Sequence, residues 1–294
     1  MNKDIKYIQA KSILSKLRQT DAFFGITYNM NLYRGCQHGC IYCDTRSDCY
    51  GVGDISQISV KQNALDLLTR ELKLKRKNKG TIGTGSMNDP YMPVEKDLEI
   101  TRNAMKIIAS EKFPVHVITK SDLITRDLDV LQEIAKTYAA GSITITTFDD
   151  KLSAKIEPLA PLSSARFKAI EQLASNGIYT GITLMPLLPY INDDIENLEN
   201  IIKKAKDCGA SYIIPMFGLT LRKGSRDFFY KSIDNYFPEM KEKYVNKFGE
   251  NYICNSPEYY RLQRIFTELT DKLGIDTRMN FYKPENQNRQ LSLF

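Results

Sequence analysis

The chain contains no run of 18 or more apolar residues, the length a helix needs to span a bilayer. It also shows no charged-then-apolar leader with a cleavage site. Neither a membrane span nor export is expected, which leaves the cytoplasm as the expected compartment. Low-complexity sequence is limited to one short lysine-rich stretch, and nothing repeats beyond a strand-helix unit. Cysteine is scarce, six residues in 294, and it is not spaced in pairs as a disulfide framework would be. Charge of one sign is not strongly in excess: 41 Lys and Arg face 35 Asp and Glu, a formal net charge of +6. That balance permits an anionic partner such as nucleic acid without demanding one.

What remains is an ordinary globular composition, 42% hydrophobic and 26% charged, able to bury a sizeable core. After a polar N-terminal segment (1–25), the chain alternates. Residues 26–33 read as a strand, and Leu65, Leu68 and Leu72 fall on one face of a helix. Four further units follow, with strands at 81–84, 115–119, 142–147 and 179–184 and helices on Ile100 to Ile108, Leu128 to Ala135, Phe167 to Ala174 and Ile195 to Ala205. A sixth strand is expected at 212–217. Six such alternations point to parallel strands covered by helices, as an open sheet or a barrel-like one. From about Arg226 the pattern turns aromatic and charged and reads as a helical C-terminal extension (225–283), followed by a polar tail (284–294) expected to be mobile.

Parallel strands present their functional loops at their carboxyl ends. There the first strand delivers Cys36, Cys40 and Cys43, half the cysteines of the chain within eight positions. Thiolates are the usual ligands of iron-sulfur clusters. Three thiolates on a four-iron cluster leave one iron without a protein ligand, and an open metal position is where a substrate or cofactor binds. A zinc site would want a fourth ligand, for which His38 and Cys49 are the neighbours; a Cys36–Cys40 disulfide is the non-metal alternative. The other strand ends are 86–89, 119–121, 144–147, Met185-Pro186 and 216–218, all expected to converge on one pocket.

The spacing Cys36-x3-Cys40-x2-Cys43, with Tyr42 before the last cysteine, resembles the cluster loop of the radical S-adenosylmethionine (SAM) superfamily. The resemblance covers about 28–217 and implies a partial (β/α)6 TIM-like barrel (26–224). It also implies a [4Fe-4S] cluster on the three cysteines, with SAM chelating the open iron. An electron from a donor such as flavodoxin or ferredoxin then cleaves SAM to a 5'-deoxyadenosyl radical that takes a hydrogen atom from the substrate. More locally, Ile118-Thr119-Lys120, Glu157-Pro158 and Arg166 resemble the spore photoproduct lyase group, also labelled DNA repair photolyase.

That resemblance places Lys120 on the SAM carboxylate, with Arg166 on the same carboxylate or on Glu157. Ser86 and Asp89 stand where the amino group of SAM is met, and the glycine-glycine-glutamate common elsewhere in the superfamily is missing. Asp89 before Pro90 also reads as a turn former. Thr144 and Thr146 give one hydroxylated strand face toward the ribose, or serve strand propensity alone, and Tyr42 lies against the adenine. The lyase returns hydrogen through a cysteine just after its second strand, where this chain reads Gly83-Thr84-Gly85-Ser86-Met87. Cys49 and Tyr91 are the candidate replacements. A DNA-repair-like radical reaction is expected. The rivals are a radical SAM enzyme on a peptide, RNA or small metabolite, and a metal-containing DNA-binding module without turnover.

Two further features bear on partners. The chain ends in Gln290, Leu291, Ser292, Leu293 and Phe294, which resembles the pentapeptide that docks bacterial repair proteins on the DNA sliding clamp. The basic run from Lys73 to Lys79 is either a solvated helix end favoured by the helix dipole or a phosphate contact.

Overall fold

A computed structural model of the protein describes residues 5–284. In chain order the strands are β1 (Lys6–Ile8), β2 (Leu14–Lys16), β3 (Ile26–Met30), β4 (Tyr33–Arg34), β5 (Ser59–Lys61), β6 (Thr81–Gly83), β7 (Val115–Thr119), β8 (Ala139–Thr144), β9 (Tyr179–Leu184), β10 (Tyr212–Pro215), β11 (Gly218–Thr220) and β12 (Ile253–Asn255). The helices are α1 (Ala64–Lys75), α2 (Glu95–Leu98), α3 (Ile100–Ser110), α4 (Leu128–Ala135), α5 (Asp150–Ile156), α6 (Ser163–Ser175), α7 (Ile195–Asp207), α8 (Ser225–Tyr236), α9 (Pro238–Phe248) and α10 (Tyr259–Leu273).

The six expected strands lie side by side in the order β10-β9-β8-β7-β6-β3, all parallel, with β2 antiparallel on the outer side of β3. Among the described residues the sheet does not close. This is the partial TIM-like barrel expected. The helices laid on the sheet bury apolar stripes: Ala104, Met105 and Ile108 on α3, and Leu198, Ile201, Ile202 and Ala205 on α7, are buried in one continuous core. Asp194 starts α7 by accepting from the Asn197 amide at 2.8 Å.

The boundaries depart from expectation where side chains are small or the chain turns. The fourth strand starts at Ala139 rather than 142, because Ala139 pairs with Val115. It ends at Thr144, so Thr146 lies in the connection beyond it. Ala139-Ala140-Gly141 has little strand propensity, which hides that start. The 1–25 segment is not merely a polar lead-in: β2 extends the main sheet, and β1 pairs with β5 in a small sheet that also holds β4. The first strand therefore breaks at Met30, and Tyr33–Arg34 turns away to pair with β5. The C-terminal extension is mainly helical but contributes β12, antiparallel to β11.

Candidate active site

The cysteine loop leaves β4 at a glycine that has no substitute. Gly35 has φ +85°, and a Cβ there would lie 2.6 Å from the Gln57 carbonyl oxygen and 2.7 Å from that of Ile55. The Cys36 amide then donates to the Ile55 carbonyl at 2.8 Å, and the Ile41 amide to that of Ile156 at 2.9 Å. Gln37 accepts from the Val94 amide at 2.7 Å, and the His38 carbonyl accepts from the Leu159 amide at 3.0 Å. The loop is thus fixed on one side to the α2 region and on the other to α5.

Cys40 is buried, and Cys36 and Cys43 are half-buried. Burial, and after it the charge of Asp89, pushes the Cys36 thiol up to about 11; burial pushes Cys40 higher still. A thiolate is stable here only beside a cation that takes the place of its proton. Among the described residues no three His, Cys, Asp or Glu side chains are disposed to share one metal ion.

Two buried carboxylates flank the loop. Asp89, after β6, accepts from the Thr119 hydroxyl at 2.5 Å, the Tyr91 amide at 2.9 Å and the Lys120 amide at 2.7 Å, with His38 Nδ1 at 3.3 Å. Burial alone would raise its pKa, but His38, the Thr119 hydroxyl and the Lys120 amide outweigh it and hold the acid at about 2. Glu157, after α5, accepts from the Tyr42 phenol and pairs with Arg166 at 2.5 Å, both side chains fully buried. Its acidity is likewise increased, because Arg166 and Lys120 overcome the opposing effect of burial. Arg166 also donates to the Thr144 carbonyl at 3.0 Å and the Pro161 carbonyl at 2.7 Å. Of its two expected partners, Glu157 is therefore engaged, while Nη2 stays buried and without a partner.

Lys120 extends from the end of β7 with its ammonium 5.6 Å from the Tyr42 ring centroid. Burial would lower it, yet the fields of Cys40 and Glu157 outweigh burial and keep it charged. Thr144 at the end of β8 shares a 2.8 Å hydroxyl contact with Thr183 of β9. Among the buried side-chain atoms without a partner in the described residues are Thr84 Oγ1 just after β6, Thr146 Oγ1 beyond β8, Arg166 Nη2 of α6 and His38 Nε2 in the cysteine loop, with others elsewhere in the fold. Such atoms are costly unless something polar meets them. A loop of buried thiols, a lysine at its edge and a set of unmet polar atoms fit an iron-sulfur cluster together with a polar, carboxylate-bearing ligand.

Cys36, Cys40, Tyr42, Asp89, Lys120, Thr144 and Arg166 are thus joined through shared contacts. Ser86 is exposed in the loop after β6, where Gly85 is required: at φ +87° its Cβ would meet the Ile118 carbonyl oxygen at 2.3 Å. Tyr91 is fully buried in the core, its phenol governed by burial and then by Asp127, so it has no face open to a substrate. Cys49 is exposed, 3.6 Å from an Arg222 guanidinium nitrogen that also meets the Tyr50 phenol at 2.8 Å. Glu157 and His38 do more than their sequence neighbourhood suggested, since each places a neighbouring site residue. Glu157 was flagged by its Pro158; nothing in the pattern marked Asn192 and Asn197, whose amides hold the Thr146 carbonyl at 2.7 and 3.1 Å.

Fold and site together place a loop of three cysteines at the carboxyl end of an open α/β barrel. The sequence model of the Radical SAM superfamily matches residues 30–209, and the chain belongs to that superfamily. It is therefore a radical SAM enzyme, whose cofactors are a [4Fe-4S] cluster and SAM. An uncharacterized protein of Methanocaldococcus jannaschii is 34% identical over 251 residues, 84% of this chain and 90% of its own. A radical SAM Nα-GlyT isomerase of Pseudomonas phage M6 is 23% identical over 218 residues, 74% of this chain and 44% of its own. Among solved structures, spore photoproduct lyase complexed with dinucleoside spore photoproduct matches with TM-score 0.67 at 14% identity, covering 92% of this chain and 79% of that one. At that identity the likeness is one of fold. Among the described residues no helix is long and apolar enough to cross a membrane.

Proposed function

We propose that the protein carries out a lyase-like radical reaction on nucleic acid, of the DNA-repair kind. The observation that supports this reading best is the cysteine loop set against Lys120 and the unpartnered Arg166 nitrogen, in a fold it shares with a lyase solved with a dinucleoside. Cys36, Cys40 and Cys43 would hold the cluster, and Lys120 would meet the SAM carboxylate as a charge-assisted contact. Bound there, the two cofactors supply a 5'-deoxyadenosyl radical. The chain's own part is to hold the ligand: Tyr42 is fixed by Glu157, Thr144 by Thr183, and Arg166 by Glu157 with one nitrogen left over. Asp89 supports the site by fixing the start of the Lys120 segment; with its oxygens on four protein donors, Ser86 is the freer candidate for the amino group.

No thiol follows β6, so the hydrogen-return step of the lyase needs another donor. Cys49, exposed and grouped with Tyr50 and Arg222, is better placed for it than the buried Tyr91. Electrons would come from a flavodoxin or ferredoxin. The pentapeptide at 290–294 lies outside the described residues; as a clamp-docking peptide, its deletion should abolish binding to a purified sliding clamp, and unchanged binding would reject that role. For the substrate, the reduced holoenzyme should move deuterium from a deuterated thymidine-containing oligonucleotide into 5'-deoxyadenosine. Transfer from a peptide or metabolite, and none from DNA, would overturn the reading.

A further inference from the structure

A large groove lies at the other end of the sheet from the cysteine loop. It encloses about 1340 Å³, beyond the ~300–1,000 Å³ of ordinary small-molecule pockets. Six lysines line it, Lys16, Lys77, Lys79, Lys112, Lys136 and Lys283, and no aspartate or glutamate does. They come from separate parts of the chain: the end of β2, the turns before β6, β7 and β8, and the segment after α10. Part of the basic run from Lys73 to Lys79, which in the sequence reads as a solvated helix end or a phosphate contact, is thereby placed in a concave, one-sign surface.

Two of the six are already engaged. Lys79 donates to the carbonyls of Glu111 and Lys112 at 2.9 and 3.0 Å, and Lys136 pairs with Glu133. Lys16, Lys77, Lys112 and Lys283 are exposed and have no carboxylate partner among the described residues. Four like charges in one groove repel, and an anion relieves that repulsion. The same wall carries aromatic rings: Tyr138 and Tyr282 lie 6.2 Å apart, and Phe281 is 37% exposed. A lipid surface is met by a convex apolar face with basic flanks. A concave basic groove with partly exposed rings is instead the combination that single-stranded nucleic acid uses, phosphates on the lysines and bases on the rings.

We propose that this groove at the amino ends of β3, β6, β7 and β8 binds a single strand of nucleic acid, as a second contact remote from the cysteine loop. Binding there is independent of what the radical attacks, so failure of the substrate reading and failure of this one are separable. The test is fluorescence anisotropy of a mixed-sequence single-stranded DNA with the holoenzyme at several salt concentrations. Four phosphate contacts predict a slope of log K against log[salt] of about −2.8. In the variant with Lys16, Lys77, Lys112 and Lys283 each changed to Glu, affinity should fall at least about tenfold and the slope should flatten. A control with the exposed Lys231, Lys243, Lys247 and Lys272 changed to Glu carries the same net charge and should keep both; circular dichroism shows that each variant is folded. Equal loss in the two variants would reduce the effect to net charge and overturn the proposal, as would no loss in the groove variant. Binding to phosphatidylserine vesicles but not to DNA would overturn it in favour of a membrane surface.

Discussion

At the scale of single residues, the buried pair of Glu157 and Arg166 does two jobs. It fixes Tyr42 inside the cysteine loop and anchors the end of β8 through the Thr144 carbonyl. Removing one charge of such a pair leaves the other buried and uncompensated, a cost of about 3–5 kcal/mol. Glu157→Gln should therefore lower the unfolding free energy measured by urea titration by about 3–5 kcal/mol and weaken cluster retention; a change below about 1 kcal/mol would show that Arg166 finds a substitute. His116 offers a separate reading of pH. Its Nε2 meets the Ser142 hydroxyl at 2.7 Å, and burial lowers its pKa from 6.5 to about 3. Folded protein thus stays neutral there while the unfolded chain takes up a proton below about pH 6.5, so stability falls on acidification by about 1.4 kcal/mol per pH unit. Between pH 6.5 and 5, above the usual carboxylate range, His116→Asn should flatten that fall in urea titrations. An unchanged slope would place the sensitivity elsewhere.

At the scale of elements, the six strand-helix units were legible because their apolar positions recur at helical spacing, as on α3 and α7. The strand ends then named the site residues, because parallel strands carry their loops at one end. Three things were not legible. The start of β8 is written in Ala139-Ala140-Gly141, which has no strand signal. The 3-stranded sheet of β1, β5 and β4 depends on contacts between distant segments. Whether Asp89 would face a ligand or the protein was open until Thr119, Tyr91, Lys120 and His38 were seen to occupy it. The cysteine loop also depends on a backbone position that only glycine fits. Gly35→Ala forces the left-handed region at a cost of ~1–2 kcal/mol and drives a Cβ against two carbonyl oxygens. The chain should remain folded by circular dichroism but retain less than half the wild-type iron per mole after reconstitution; full iron loading would show that the loop tolerates the shift.

At the scale of the whole molecule, the C-terminal extension closes over the metal loop rather than standing apart. Cys40, Ile41 and Tyr42 share one hydrophobic cluster with Phe229, Ile233, Tyr244 and Phe248 of α8 and α9, and the Arg46 guanidinium lies 3.6 Å over the Phe228 ring. The extension thereby packs on the cysteine loop, while the basic groove occupies the opposite end of the sheet. Between these ends the barrel separates chemistry from a surface that suits a polyanion. The central claim is that Cys36, Cys40 and Cys43 would hold the cluster through which an external reductant supplies the electron that cleaves SAM. The most direct measurement is anaerobic reconstitution with iron and sulfide, reduction with dithionite, and assay of 5'-deoxyadenosine from added SAM. Wild-type protein should produce it, and Cys36→Ala, Cys40→Ala and Cys43→Ala should each produce none. A fully loaded wild-type cluster that yields no 5'-deoxyadenosine, or a cysteine variant that yields as much as wild type, would contradict the account.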